Sequence, residues 1–365
     1  MNDFSAVLTR DPLKLQKPLA ERHKRPELYR PAKGLREALD VAMLLGVPLL
    51  LTGAPGTGKT RAAYWLNATL RDDDLLRYDV KSVSTGADLL YNFDEVSRFR
   101  DAAPGAKEPL VKYLRLNALG EAIARAAGGG APLRTPGGEP LVGEVLERHS
   151  DQLDKAFGES WRRRGRADVA LLLPNDPAFQ KAEPEHRIVL IDELDKAPRD
   201  TPNDLLAEVE EMRFLIPELG VSVAADPDFR PIVIITSNSE KSFPDPFLRR
   251  CAYFDIPLPS DEELRKIIAG SIERLSGGGS FLDQALDLFR HLREENGIRK
   301  APGTAELLAW LDLLVHRNGC AADTSLRQRA LEDEDRVADT LAAVLKTRDD
   351  REAARRVLAR WRNQG

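Results

Sequence analysis

The chain has 365 residues, 42% hydrophobic and 31% charged, the balance of a globular protein with room for two domains. Its formal net charge of −5 argues weakly against a protein held to nucleic acid by bulk charge, while leaving room for a local basic channel. No apolar run approaches the ~20 residues of a membrane-spanning helix, and the two cysteines, Cys251 and Cys320, lack metal-ligand spacing.

These features predict no membrane insertion, no disulfide framework and a reducing cytoplasmic setting. The opening stretch MNDFSAVLTRDPLKLQKP has neither the basic start nor the apolar centre of a secretory signal. Residues 1–30 read as a polar leader with a basic stretch, ERHKRPELYRP. Tyr29, Arg30 and Pro31 stand just before the first helix, a position from which they can line a base pocket.

That first helix is GLREALDVAMLLG, with Leu35, Ala38, Leu39, Ala42 and Met43 at helical spacing. VPLLLTG follows as a strand buried on both faces. A glycine-rich turn leads into a helix ending near Leu70. LLRYDVKSV predicts a second strand; GADLLYNFDEVSRFRDA and YLRLNALGEAIARAA predict two helices, the latter stopped by GGG. Residues 128–187 change character, from the turn-rich GGGAPLRTPGGEP to the charged helical piece LVGEVLERHSDQLDKAFGESWRRRGR, and read as an insertion into the core. HRIVLIDELDKAP is an apolar strand ending in paired acids, NDLLAEVEEM a helix, RFLIPELGVSVAADPDFRP a β-hairpin and IVIITSNSE a further buried strand. From Ser260 onward every segment has helical period. The expected organisation is an α/β core over 31–259 carrying the insertion, a helical domain over 260–320 and a helical tail over 321–365.

The chemistry starts at Gly53-Ala54-Pro55-Gly56-Thr57-Gly58-Lys59-Thr60, followed by Arg61. Glycines at this spacing let successive backbone N–H groups turn inward around phosphates, and the helix adds its positive end. Lys59 then reaches the β- and γ-phosphates and the Thr60 hydroxyl binds Mg²⁺. Asp192 and Glu193 end a buried strand, where open α/β sheets bind ligands. Asp192 suits Mg²⁺, and Glu193 suits activation of an attacking water, which favours hydrolysis of ATP over transfer to a metabolite. Asn238 ends another apolar strand and can place its amide between these acids and the γ-phosphate. Arg249 and Arg250 lie just beyond, where an arginine can act on a neighbouring subunit's γ-phosphate. Arg299 and Lys300 precede a helix start at Pro302, Gly303 and Thr304, where a cation can reach back to ATP.

Taken in order, LLLTGAPGTGKT, IVLIDELDKAP, the hairpin FLIPELG before PIVIITSN, FPDPFLRRC and RKAPGTAELLAW resemble an AAA+ ATPase of the MoxR branch, with its dynein-related and NorQ/CbbQ-like relatives. DLLYNFDEVSRF is similar to a segment of some MoxR-like members. The resemblance spans roughly residues 30–318. It implies an AAA+ P-loop NTPase core, with a parallel sheet between helices, and an all-helical lid. It implies Walker A at Gly53–Thr60, Walker B at Asp192 and Glu193, and sensor 1 at Asn238. It places the arginine finger at Arg250, with Arg249 the second choice, and sensor 2 at Arg299 or Lys300. Many members have an acid-Arg-Phe sequence at the finger, where this chain has Arg249-Arg250-Cys251. The family further implies a homo-oligomeric ring, usually of six subunits, that acts on a protein client or a partner with a von Willebrand factor A domain. Two other functions stay open: a nucleic-acid or defence motor, for which WRRRGR at Trp161–Arg166 speaks, and a slow ATP-dependent regulatory switch.

Overall fold

The computed structural model describes residues 26–71, 73–101, 108–238 and 242–364, so residues 1–25 of the expected leader lie outside the described residues. Among the described residues nine strands occur in chain order: β1 (Leu49–Thr52), β2 (Leu76–Asp79), β3 (Tyr91–Phe93), β4 (Leu114–Leu116), β5 (Ile188–Asp192), β6 (Arg213–Ile216), β7 (Val221–Ala224), β8 (Ile232–Thr236) and β9 (Ala252–Asp255). Five of them form one parallel sheet in the order β2-β5-β8-β1-β9. Composition sets that order's logic. The runs LLLT, IVLID and IVIIT are apolar on both faces and fill the three central places. LRYD and AYFD alternate between half-buried and exposed residues and take the two edges.

The helices used below are α1 (Leu35–Leu45), α2 (Lys59–Leu70), α3 (Ala118–Ala127), α4 (Asp261–Ser271), α5 (Ser280–Glu294), α6 (Thr304–Asn318) and α7 (Arg348–Trp361). Helix α1 stops at Gly46, whose φ of 63° suits a residue without Cβ. Helix α3 lies so close to the chain before it that a Cβ at Gly120 would sit 2.0 Å from the Leu90 carbonyl oxygen.

By internal contacts the chain divides into two compact units. One holds residues 31–54 and 66–257. Its core joins sheet residues such as Leu50, Val189 and Val233 to Leu133, Leu153, Phe157, Trp161, Val169 and Phe179 of the 128–187 section, so that section shares the core of the sheet. The other holds residues 258–364 together with described residues 26–30 and 55–65, so the second half of the glycine-rich loop packs with the helical residues rather than following a division at 259. Within it, one core runs from Leu264 to Trp361 and does not break near residue 320: Phe281, Leu286 and Trp310 share it with Val357, Leu358 and Trp361.

Two local expectations need correction, and one strand was not expected. The segments 86–101 and 113–127, expected as uninterrupted helices, each hold a strand: β3 and β4 pair antiparallel, with Tyr91 opposite Leu116 and Phe93 opposite Leu114. AYFD forms edge strand β9, although the surrounding prolines and arginines mask its alternation. The charged helical piece is three short helices, Gly143–Arg148, Ser150–Phe157 and Ser160–Arg164. Gly158 and Gly165 end the last two at φ of 59° and 70°.

Candidate functional site

The chain leaves β1 to reach edge strand β2, and leaves β8 to reach β9 at the opposite edge. Adjacent strands that discharge in opposite directions mark the crevice, outside their carboxyl ends, where open α/β sheets bind ligands. The loop after β1 has the backbone such a site requires. Gly53, Gly56 and Gly58 take φ of 138°, 78° and 96°, a region costly for any residue with a Cβ. Thr57 and Lys59 are buried at the start of α2. Within the helical unit the loop has close neighbours. A Cβ on Gly56 would meet Glu306 Oε2 at 3.0 Å, and one on Gly303 would meet the Pro55 oxygen at 2.4 Å. Glu306 Oε2 accepts the Gly303 N–H at 3.2 Å, and Arg293 donates to the Pro302 carbonyl at 3.1 Å. Arg61 and Tyr29 also meet here, the guanidinium carbon 5.9 Å from the ring centroid.

The acids lie at the carboxyl ends of β5 and β8. Asp192 is buried; its Oδ1 accepts from Thr236 Oγ1 at 2.6 Å, and its Oδ2 pairs with Arg77 at 2.9 Å. Glu193 has φ 60° and ψ 51°, a left-handed conformation uncommon for a residue with a side chain. Three contacts hold it there. Its N–H donates to Thr236 Oγ1 at 2.8 Å, its Oε1 accepts from Asn238 Nδ2 at 3.2 Å, and its Oε2 pairs with Lys196. The Asn238 N–H donates to buried Asp195 at 3.1 Å, fixing the amide. Asp192, Glu193 and Asn238 thus come together as the sequence predicts. Thr236, Lys196, Asp195 and Arg77 were not singled out from sequence. The first three carried a signal in hindsight, since they lie within three residues of the acids or of Asn238.

Arg249 and Arg250 are elsewhere in the same unit. Both line a cavity of about 1110 Å³ whose wall includes Pro48, Ile188, Ile232 and Cys251, residues at or just before the first positions of β1, β5, β8 and β9. The arginines therefore sit at the amino-terminal end of the sheet, opposite the acids. Arg250 Nε pairs with Glu210 at 2.9 Å, and Arg249 is exposed. Burial pushes the neighbouring Cys251 thiol up to about 12.

In the helical unit, the Arg299 side chain is 80% exposed and faces Asp349 at 3.7 Å, while its backbone N–H donates to buried Asp350 at 2.8 Å. Lys300 is exposed. Beyond Ile298, Gly303, Ala305 and Glu306 come close to Pro55 or Gly56. In WRRRGR, Trp161 is buried and Arg162 lies over its ring while pairing with Asp154. Arg163 pairs with Glu159, and Arg164 and Arg166 both pair with fully buried Asp168. All four arginines of that run pair with acids of their own chain, two of them sharing Asp168.

The three glycines form a cradle that a Cβ would distort, which fits the phosphates of a nucleotide. In the sheet unit Asp192 is a buried carboxylate, which fits an ion such as Mg²⁺ that takes one or two carboxylates and completes its shell with water and phosphate oxygens. Among the described residues no three His, Cys, Asp or Glu side chains gather as a metal site of their own, and no helix is long and apolar enough to cross a membrane. No family model and no curated protein matches the sequence.

Proposed function

We propose that this chain is a MoxR-like AAA+ ATPase that hydrolyses ATP with Mg²⁺ in a homo-oligomeric ring and uses the energy to remodel or activate a partner protein. The resemblance suggests six subunits and a partner with a von Willebrand factor A domain. The observation that carries the reading is the separation of polar groups along one parallel sheet. Asp192, Glu193 and Asn238 stand at its carboxyl ends, and Arg249 and Arg250 beside its amino ends. A five-residue strand rises roughly 16 Å, so neither arginine meets the acids of its own subunit. An arginine finger supplied by a neighbour accounts for that separation.

In this reading the loop N–H groups and Lys59 bind and orient the phosphates. Asp192 and Thr60 would hold Mg²⁺, which when bound neutralises phosphate charge. Glu193 orients and deprotonates the attacking water, with Asn238 fixing its carboxylate. Arg250 from the adjacent subunit meets the charge that develops on the γ-phosphoryl group, and that ties turnover to assembly. Lys196 on Glu193 favours slow turnover by the isolated chain, as a regulatory switch also requires. The nucleic-acid motor draws less support, because the arginines of WRRRGR are paired internally.

The test is the solution mass of Glu193→Gln by light scattering, with and without Mg-ATP. A nucleotide-driven rise to a closed ring supports the motor. A persistent monomer leaves the finger with no neighbour and moves the reading to the switch.

A further inference from the structure

Gly58, just before α2, and Arg61 and Trp65 on it are spaced three and four residues apart and lie on one side. Tyr29 lies against all three. Its Cε2 is 3.1 Å from where a Cβ on Gly58 would stand, its ring centroid is 6.0 Å from that of Trp65 with the planes tilted by 44°, and the Arg61 guanidinium lies over it. The Arg61 Nη2 atom is buried with no hydrogen-bond partner. Burial holds the Tyr29 phenol well above its usual range and draws the Arg61 guanidinium below its own.

Four other arginines among the described residues leave an Nε without an acceptor, but Arg61 is the one whose orphan is a terminal Nη of the fork. Arginine is a donor-only group with a planar fork, so what it lacks here is an acceptor of matching plane. The loop N–H groups and Lys59 already serve the phosphates. Arg61 comes after them on α2, and its guanidinium turns to Tyr29 from the segment ahead of α1. A nucleotide whose phosphates sit in the loop continues with a ribose and a base, and the base is its planar part with ring-nitrogen acceptors in the plane. We infer that Arg61 is the base-reading residue of the site, donating through Nη2 to a ring acceptor of a purine nucleoside triphosphate, with Tyr29 positioning its guanidinium.

This inference rests on the P-loop reading, and binding measurements on the full chain separate the two. The probes are ATP, 2′-deoxy-ATP and inorganic triphosphate, titrated by calorimetry with Mg²⁺ against the unaltered chain, Arg61→Met, Arg61→Lys and Lys59→Ala. A hydrogen bond to a charged donor leads us to expect Arg61→Met to weaken ATP and 2′-deoxy-ATP alike by roughly 10- to 100-fold. Triphosphate affinity should stay within about twofold, because that probe has no base. Arg61→Lys keeps the charge but loses the fork, and should also weaken both nucleotides; it carries the test if the methionine variant fails to fold. An equal loss for triphosphate and ATP would assign Arg61 to the phosphates and overturn the inference. So would a loss confined to ATP and absent for 2′-deoxy-ATP, which would mean that Arg61 reads the ribose, and so would unchanged ATP affinity. If the unaltered chain binds neither ATP nor triphosphate, and Lys59→Ala changes nothing, the P-loop reading itself fails and Arg61 with it.

Discussion

Asn238 Nδ2 donates to Glu193 Oε1 at 3.2 Å, and that bond joins the turns following two adjacent parallel strands, β5 and β8. It acts together with Thr236, which binds the Glu193 N–H and Asp192 Oδ1 through one hydroxyl. A left-handed non-glycine residue costs on the order of 1–3 kcal/mol and persists only where its surroundings over-determine it. Here the surroundings are Thr236 on the backbone and Asn238 and Lys196 on the two carboxylate oxygens. The strain aims the carboxylate, and the two side-chain partners occupy both of its oxygens.

That double engagement leads to the first prediction. Glu193→Gln should retain ATP binding and stop turnover, and Asn238→Ala should lower turnover by roughly 10- to 100-fold with nucleotide affinity nearly unchanged, the range expected for loss of general-base alignment. Lys196→Ala releases one oxygen and should raise the basal rate a few-fold. Steady-state phosphate release with parallel binding titrations measures all three. A drop in the Lys196→Ala rate would make Lys196 part of the active arrangement instead of a restraint on it.

The position of Arg250 at the opposite end of the sheet gives the second. Arg250→Ala should leave nucleotide binding by a dilute subunit intact, while hydrolysis at assembling concentrations falls by about 10³-fold or more, the range of arginine fingers. Glu210→Gln removes the acid that holds Arg250 within its own chain and should lower the concentration at which turnover appears. If Arg249→Ala and not Arg250→Ala gives the collapse, the finger is Arg249.

The parts of this arrangement that sequence made legible are those fixed by local rules. LLLTGAPGTGKT contains its strand, its turn and its helix start in one run, and IVLID and IVIIT announce burial on both faces before any contact is known. The partners of Glu193 were harder to see. Lys196 reads as an ordinary charge one turn on, and Thr236 as the last residue of a strand; their roles follow from β5 lying beside β8, which is a tertiary fact. β3 and β4 were hidden because Tyr91 and Leu116 are as compatible with a helix face as with a strand, and only their pairing decides. Arg299 stands as a cation ahead of a helix, and a few residues on, it is the glycine of PGT that comes against Pro55, where a side chain would collide.

The third prediction concerns alkaline stability. Burial disfavours the thiolate and pushes the folded Cys251 thiol from its ordinary value of 9.0 up to about 12. A raised folded value means the stabilising contribution is complete below pH 9 and is lost progressively from there towards pH 12, as the unfolded chain gives up its proton first. Denaturant midpoints measured at rising pH should fall across this window, and the fall should be shallower in Cys251→Ala. The same burial predicts slow alkylation of Cys251 at neutral pH, with rapid labelling once denaturant is added.

The shared core of the helical unit gives the fourth. Trp361 is fully buried, its indole N–H donates to Asp287 Oδ2 at 2.7 Å, and the Arg327 guanidinium lies 4.9 Å from its ring. Trp361→Ala should destabilise this unit by about 3–5 kcal/mol, the usual range for a fully buried large aromatic. Ending the chain after residue 320 should go further, exposing Phe281, Leu286 and Leu314 together. Loss of helical circular dichroism well beyond the deleted helices would show one cooperative unit; a proportionate loss would mean that the tail is an independent addition.

The last prediction tests how firmly the β6–β7 hairpin is held. Gln152, from the 128–187 section, donates through Nε2 to the Leu219 carbonyl at 3.0 Å and to the Gly220 carbonyl at 2.6 Å, at the tip of that hairpin. The same section pairs alongside β7 through Arg134 and Ser222, whose backbones exchange hydrogen bonds. Gly220 has φ 61°, and a Cβ there would fall 1.6 Å from Gln152 Nε2. Gly220→Ala therefore combines left-handed strain of about 1 kcal/mol with loss of the Gln152 bonds, each worth roughly 1 kcal/mol. Its expected cost is about 2–3 kcal/mol, against about 1–2 kcal/mol for Gln152→Ala. Once Gln152 is gone, alanine at 220 keeps its backbone strain but meets no amide, so the double variant should cost about 1–2 kcal/mol less than the sum of the two singles. Strict additivity in urea unfolding would mean that Gln152 and the hairpin tip do not share an energy, and that the section does not clamp the hairpin.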